Sequence, residues 1–426
     1  MNHSGRTKYV ILAIVAILLL AGAAYWYFTP QAPQAAVTAG NNGSNGFQPL
    51  DRGSGGAGQN TNNPSAPNNP ETNPPVATPA NIPALRLLSA APIGGYGAST
   101  TAGVTVIRWI DRGRGNIYET RSNSLDTTTL SNTIVPMTYW SAWNKNLTAF
   151  ISSLLQDGSD ETSTVYAELR TQTSTTTADG TSVTPFELKG KNLPSTIASF
   201  AVSPKKDKVF LFSVEGGRGI GYTAPFNGGA AAQIFDTPLT QVNVDWPEDN
   251  TIAITTKGTA SQSGFLYFVD PKTGVWKKIL GPVPGLSAKV SRDAKYAIIS
   301  AAGNNGPLTS IYDIAKKTGT DAVIRTLADK CAWGNFYKDI VYCGVPSAPV
   351  PGTYPDDWYK GTLSTADKIW QVKAPTGEVH LIAPIADEAG RPVDTFNLGL
   401  DDKDAYLFFM NKNDLSFWSL DLVSGN

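Results

Sequence analysis

Histidine is almost absent from this sequence: His3 and His380 are the two in 426 residues. That scarcity excludes most histidine-based catalysis and most zinc sites. Cysteine is as rare, at Cys331 and Cys343, and neither lies near the N-terminal apolar run. A lipidated lipoprotein is thereby excluded. Charge is sparse, with Asp, Glu, Lys and Arg making up 16 % of the chain and a formal net charge of −1. No basic stripe is present that could neutralise a phosphate backbone, so nucleic acid is excluded as a partner. The familiar catalytic signatures are missing too: there is no G-x-S-x-G elbow, no G-x-x-x-x-G-K-[ST] loop and no H-E-x-x-H helix. No catalytic residue and no cofactor is indicated.

What the chain does have begins at its N-terminus. Residues 9–28, YVILAIVAILLLAGAAYWYF, form an uncharged run long enough to cross about 30 Å of hydrocarbon. Arg6 and Lys8 precede it, and no Lys or Arg follows before Arg52. The positive-inside rule then puts residues 1–8 in the cytoplasm and the remainder outside, with Tyr25 to Phe28 as an interfacial belt. A cleaved signal peptide, with Ala21-Gly22-Ala23 as the small-residue site, is the alternative, and it exports the remainder equally. Residues 29–81 are rich in Pro, Gly and Asn and nearly devoid of large apolar side chains. Such a stretch cannot offset its ordering entropy by burial and reads as a disordered linker with a mean span of about 40 Å.

From residue 82 to 426 the sequence repeats itself. A short strand with a central aromatic recurs at Tyr118, Tyr166, Tyr222, Tyr267, Tyr312, Trp370 and Trp418. The successive spacings are 48, 56, 45, 45, 58 and 48, a period near 45 with two insertions. Two strands joined by a polar turn precede each copy, as in AVSPKKDKVFLFS (201–213), and a turn and a fourth strand follow it, as in DPKTG then VWKKIL. Four strands per 45 residues is the pattern of propeller blades. The seventh copy lacks its fourth strand, whereas ALRLLSAAP (84–92) is an unassigned strand that resembles AVIRTLADK (322–330), read as a fourth strand. The expectation is an all-β, seven-bladed propeller whose N-terminal strand completes the last blade and removes an exposed edge.

The blade motif SPKKDK (203–208), followed by VFLFS and a tyrosine-bearing third strand, resembles the WD-like repeats of TolB-type propellers. Those repeats also occur in the propeller domain of dipeptidyl-peptidase-like enzymes. Anchor, tether and the insertion TYPDDWYKG (353–361) together resemble more closely the uncharacterised membrane-anchored propeller proteins of candidate-phylum bacteria. The resemblance implies a fold and export, but no activity. Most blades lack the proline of SPKKDK, so TolB's partners do not carry over.

Within this frame the remaining polar signals read as structure. Gly217 to Gly221, GRGIG, precedes no helix and reads as a hairpin turn. Asp401, Asp402 and Asp404 occupy the turn filled by SPKKD elsewhere. Asp157, Asp160 and Glu161 lack the D-x-D-x-D-G spacing of a calcium loop. No metal site is indicated. Cys331 and Cys343 flank one hairpin, which brings them within disulfide range; two small buried core residues are the alternative.

The candidate site is the segment PGTYPDDWYKG (351–361), between the second and third strands of blade six. Tyr354, Asp356, Asp357, Trp358 and Tyr359 form the candidate binding residues. Aromatic rings give large contact area at small entropy cost, and the two carboxylates can accept hydrogen bonds. The alternative is a packed Ω-loop whose rings fold over the blade end. LLQDGSDETST (154–164), read as the insertion of blade two, is expected on the same rim. The functional expectation is a binding scaffold for an envelope protein or glycan. A hydrolase or lyase acting on envelope polymer from the propeller mouth, and a structural envelope subunit, are the alternatives.

Overall fold

The second strand of several repeats holds too many consecutive apolar residues to have a wet face. Lys208–Glu215 reads KVFLFSVE and Tyr406–Asn411 reads YLFFMN, both buried through most of their length. A strand buried on both faces must lie between neighbouring sheets. The computed structural model shows which sheets these are. It describes residues 82–426 except 132, 157, 159–160, 172–174, 177–181, 184–185, 304 and 424–426. The expected span 9–28 and the linker 29–81 lie outside the described residues, as do Asp157 and Asp160. Among the described residues no helix is long and apolar enough to cross a membrane.

Seven four-stranded antiparallel sheets form the blades of a propeller around a central channel. Strands a to d run outward from the axis in each blade. The a strands are Ile93–Thr101, Thr138–Trp143, Ile197–Val202, Val242–Glu248, Ser287–Val290, Cys331–Trp333 and Thr395–Leu400. Seven buried apolar clusters fill the seven junctions between neighbouring blades, one cluster at each. Every blade is therefore packed on both sides, and the ring has no open face. The antiparallel order sends the b–c and d–a connections to one face, here called upper, and the a–b and c–d connections to the lower face.

Leu85–Ser89 pairs antiparallel with Phe417–Asp421 and supplies strand d of blade seven, as the repeat pattern requires. Blade one is then held to blade seven by Tyr96, whose hydroxyl donates to the Asn397 carbonyl at 2.8 Å and whose ring stacks on Phe417. On the lower face the Thr100 hydroxyl donates to the Asp401 carboxylate at 2.8 Å.

Most of the a–b turns share one chemistry. Asn144, Ser203, Ser291 and Asp401 open four of them, and the residue three positions on has a positive φ: Leu147, Lys206, Ala294 and Asp404. In each, the opening side chain accepts a backbone N–H four or five residues later, for example Lys208 N to Ser203 Oγ at 3.0 Å and Tyr406 N to Asp401 Oδ1 at 3.1 Å. Short polar side chains that bond local backbone favour such turns. The 401–404 carboxylates are thus hairpin residues, and GRGIG belongs to the hairpin in which Glu215 faces Arg218.

Two sequence expectations need correction. Residues 322–330 are not a fourth strand: strand d of blade five is Thr318–Asp321, and the chain then turns at Val323 and makes one 3-10 turn, Ala328–Lys330. Apolar alternation there reflects side chains tucked under the upper face, not a pleated strand. The extra length of blade two is also not at 154–164, where six residues join Ala149–Leu155 to Thr162–Thr171. It lies between Thr162–Thr171 and Phe186–Asn192, on the lower face, and includes a small hairpin of Thr175–Thr176 with Ser182–Val183.

Candidate functional site

The insertion of blade six leaves strand Ile340–Pro346 and returns at Asp367–Lys373 on the upper face. Its centre is one helical turn, Asp356–Lys360, rather than irregular loop throughout. The Asp357 carboxylate accepts Thr353 N at 2.7 Å, and Gly361, at φ 75°, ends the turn in the left-handed conformation glycine tolerates. The Asp356 carboxylate accepts Ala260 N at 2.7 Å. Since Ala260 is in the b–c loop of blade four, the insertion spans blade five and is pinned on its far side.

The rings have different fates. Tyr354 and Trp358 are 3 % and 5 % exposed and pack with Leu327 and Leu363. The Trp358 indole N–H donates to the Asp394 carboxylate at 3.1 Å. Below it lies a sealed polar cluster. Lys330 Nζ stands 2.7 Å from Asp394 and 2.8 Å from Asp367, with both carboxylates fully buried. Thr395 donates its N–H and hydroxyl to Asp367 at 2.7 and 2.8 Å. Burial alone would raise the Asp394 carboxyl, but the Lys330 charge and donors from Lys330, Trp358 and Thr365 outweigh it and hold the group below the usual range. The paired acids are fully buried and brace the insertion.

Tyr359, next in sequence to Trp358, is 43 % exposed and faces the channel mouth. Its hydroxyl donates to Asp329 at 2.6 Å, and Ser287 donates to the same oxygen at 2.6 Å. Burial and then the Asp329 charge push the phenol well above its ordinary range, so it is a hydroxyl at neutral pH. Across the opening stand Tyr139 and Trp140, 51 % and 39 % exposed. With Phe396, Lys257 and Lys289 they surround a cavity of about 510 Å³. Sequence reasoning missed Tyr139 and Trp140. Consecutive aromatics in one strand normally point to opposite faces, but a register shift between Thr138 and Trp140 breaks the alternation. That shift has no signature in the residues alone.

Cys331 and Cys343 are directly opposed in their hairpin with Cα atoms 4.1 Å apart, and they are joined as a disulfide in this structure. His380 lies on the outer strand of blade six, 3.1 Å from Glu378, away from the channel. Among the described residues no group of three His, Cys, Asp or Glu side chains is arranged to hold a metal ion.

No protein-family model and no curated protein matches the sequence. Solved structures of similar shape include an oligogalacturonate lyase from Vibrio parahaemolyticus, at 9 % identity and TM-score 0.49, covering 79 % of this chain and 99 % of that one. The β-propeller domain of the Trilobed protease from Pyrococcus furiosus is similar at 12 % identity and TM-score 0.46, covering 79 % and 99 %. TolB from Acinetobacter baumannii is similar at 12 % identity and TM-score 0.40, covering 77 % and 79 %. These are likenesses of fold alone.

Proposed function

We propose that this chain is an extracytoplasmic binding scaffold. A single span at residues 9–28 holds it in the membrane, residues 29–81 act as a tether, and the upper channel mouth engages a protein or glycan of the cell envelope. The observation that carries the reading is the set of half-exposed rings, Tyr139, Trp140 and Tyr359, facing one opening of about 510 Å³. Large apolar side chains are left in water at a concave, polar-rimmed position where a partner's side chains or sugar rings would cover them. Asp356 and Asp357 serve this site indirectly, by fixing the helical turn that presents Tyr359. Trp358 and Tyr354 anchor the insertion from beneath.

The hydrolase or lyase alternative gains nothing from this geometry. Asp245 lines the adjoining space together with Asp329, but in the cavity that Tyr359 faces Asp329 is the one carboxylate among the described residues, and Tyr359 and Ser287 both bond it. An acid–base pair of carboxylates is not assembled there.

The test is direct binding of envelope glycan fragments and envelope-derived peptides to the full-length chain, followed by the Trp140→Ala and Tyr359→Ala variants. Loss of a desolvated aromatic contact is expected to weaken binding about tenfold or more with the melting temperature little changed. Equal affinity of wild type and both variants for every ligand found would remove the mouth as the site.

A further inference from the structure

The lower end of the same channel has a different character. Its cavity, also about 510 Å³, is lined by Lys206, Lys289, Arg292 and Lys338, against two carboxylates, Asp245 and Asp402. We propose that this lower mouth is an oxyanion site, in which the four cations take a phosphate or carboxylate group.

Both carboxylates already have backbone donors. Asp402 accepts Thr100 N at 3.1 Å, and Asp245 accepts Trp246 N at 2.8 Å. The cations are poorly matched. Arg292 reaches Asp245 only at 3.9 Å, and its Nε, although buried, has no hydrogen-bond acceptor. Lys289 and Lys338 have no ion pair or side-chain hydrogen bond among the described residues. Lys206 occupies the positive-φ position of the blade three turn, and its Nζ crosses to blade one, 3.4 Å from the Ala98 carbonyl. The side chain therefore reaches past blade two over the opening.

Burial holds the Lys206 amine below the ordinary lysine range; Asp402 opposes that shift, and Arg292 and Lys145 reinforce it. Lys206, Lys289 and Arg292 are partly desolvated, and with the exposed Lys338 they outnumber the two carboxylates, an arrangement that an anion would relieve. Two further buried polar atoms without partners, the Trp143 indole N–H and the Ser141 hydroxyl, belong to residues of the same wall. Lys289 and Trp140 line both cavities, whereas Lys206, Arg292 and Lys338 line only the lower one and Tyr359 and Lys257 only the upper, so variants at Lys206 and Tyr359 separate the two sites.

Isothermal titration of the full-length chain with sodium pyrophosphate and, separately, with citrate tests it, against sodium chloride at matched ionic strength. Saturable 1:1 binding of either probe is expected, lowered about tenfold or more in Lys206→Gln. The exposed Lys338→Gln, which leaves the turn backbone untouched, should weaken the same probe. Tyr359→Ala should leave it unchanged. Preference for pyrophosphate identifies a phosphate ligand, and preference for citrate a carboxylate. Neither probe binding above the chloride control, or equal binding by both lysine variants and wild type, overturns the proposal.

Discussion

The Lys330 ammonium stands 2.7 Å from the Asp394 carboxylate, both beyond the reach of water beneath the Trp358 ring. Their positions are 64 residues apart, one at the entrance to blade six and the other at the entrance to blade seven. The pair fixes the insertion above to the inner strands below. Replacing Lys330 by methionine leaves Asp367 and Asp394 buried without a counter-charge. The expected loss is about 3–5 kcal/mol of folding stability, read by urea denaturation. A change below about 1 kcal/mol would show that the cluster does not brace the fold.

Acid sensitivity follows from the same carboxylate. The folded-state pKa of Asp394 lies below its ordinary value of 3.8. A depressed carboxyl contributes stability that is present above the unfolded pKa and lost as pH falls through the folded one. The stability gap between wild type and Asp394→Asn is therefore widest above about pH 4 and narrows below it. Denaturation curves at several pH values between neutrality and strong acid provide the check, and a gap that widens on acidification contradicts the assigned direction.

The disulfide closes a segment of sequence separation 12. On the chain-entropy account a loop of that length is worth about 2–3 kcal/mol. Both cysteines are buried in the apolar cluster between blades five and six, so the double substitution Cys331→Ala/Cys343→Ala removes the cross-link without adding polarity. A drop of that size in unfolding free energy is expected, with no further drop when reductant is added to the variant. If reductant destabilises both proteins equally, the bond is not the cause.

The ring was legible in the sequence, and the site largely was not, for physical reasons. Tyr118 stacks on Trp109, Tyr267 meets Trp276, and Trp418 packs in the junction of blades six and seven. Because each blade repeats the same packing problem, the aromatic in strand c recurs at a readable period. The channel wall obeys no such period. Trp140, Lys289 and Tyr359 come from different blades, and their proximity exists only once the ring has closed. Trp358 and Tyr359 show the limit most sharply. In a helical turn successive side chains point about 100° apart, so one ring is sealed on Asp394 while its neighbour faces the mouth. Read as a loop, the two were equivalent. The spacing of 56 after Tyr166 likewise revealed extra length without saying which connection held it.

The closing strand gives the sharpest test of the architecture. Leu85 faces Leu420, Leu87 faces Trp418, and Asp421 N donates to the Ala84 carbonyl at 2.8 Å. Without Leu85–Ser89, the strand Phe417–Asp421 becomes an edge with unpaired backbone groups, and Leu88 no longer fills the junction of blades seven and one. Removing one buried leucine costs about 1.5–3 kcal/mol in transfer alone. The lost ladder adds to that, so deletion of residues 82–89 should lower stability by about 3 kcal/mol or more. An open edge of alternating large residues also recruits other chains. The deletion variant should therefore scatter light and sediment as larger species at concentrations where the full chain does not. A variant that stays dispersed and unfolds at the wild-type urea midpoint would mean that the blade seven sheet is complete without its N-terminal strand, contrary to the pairing seen here.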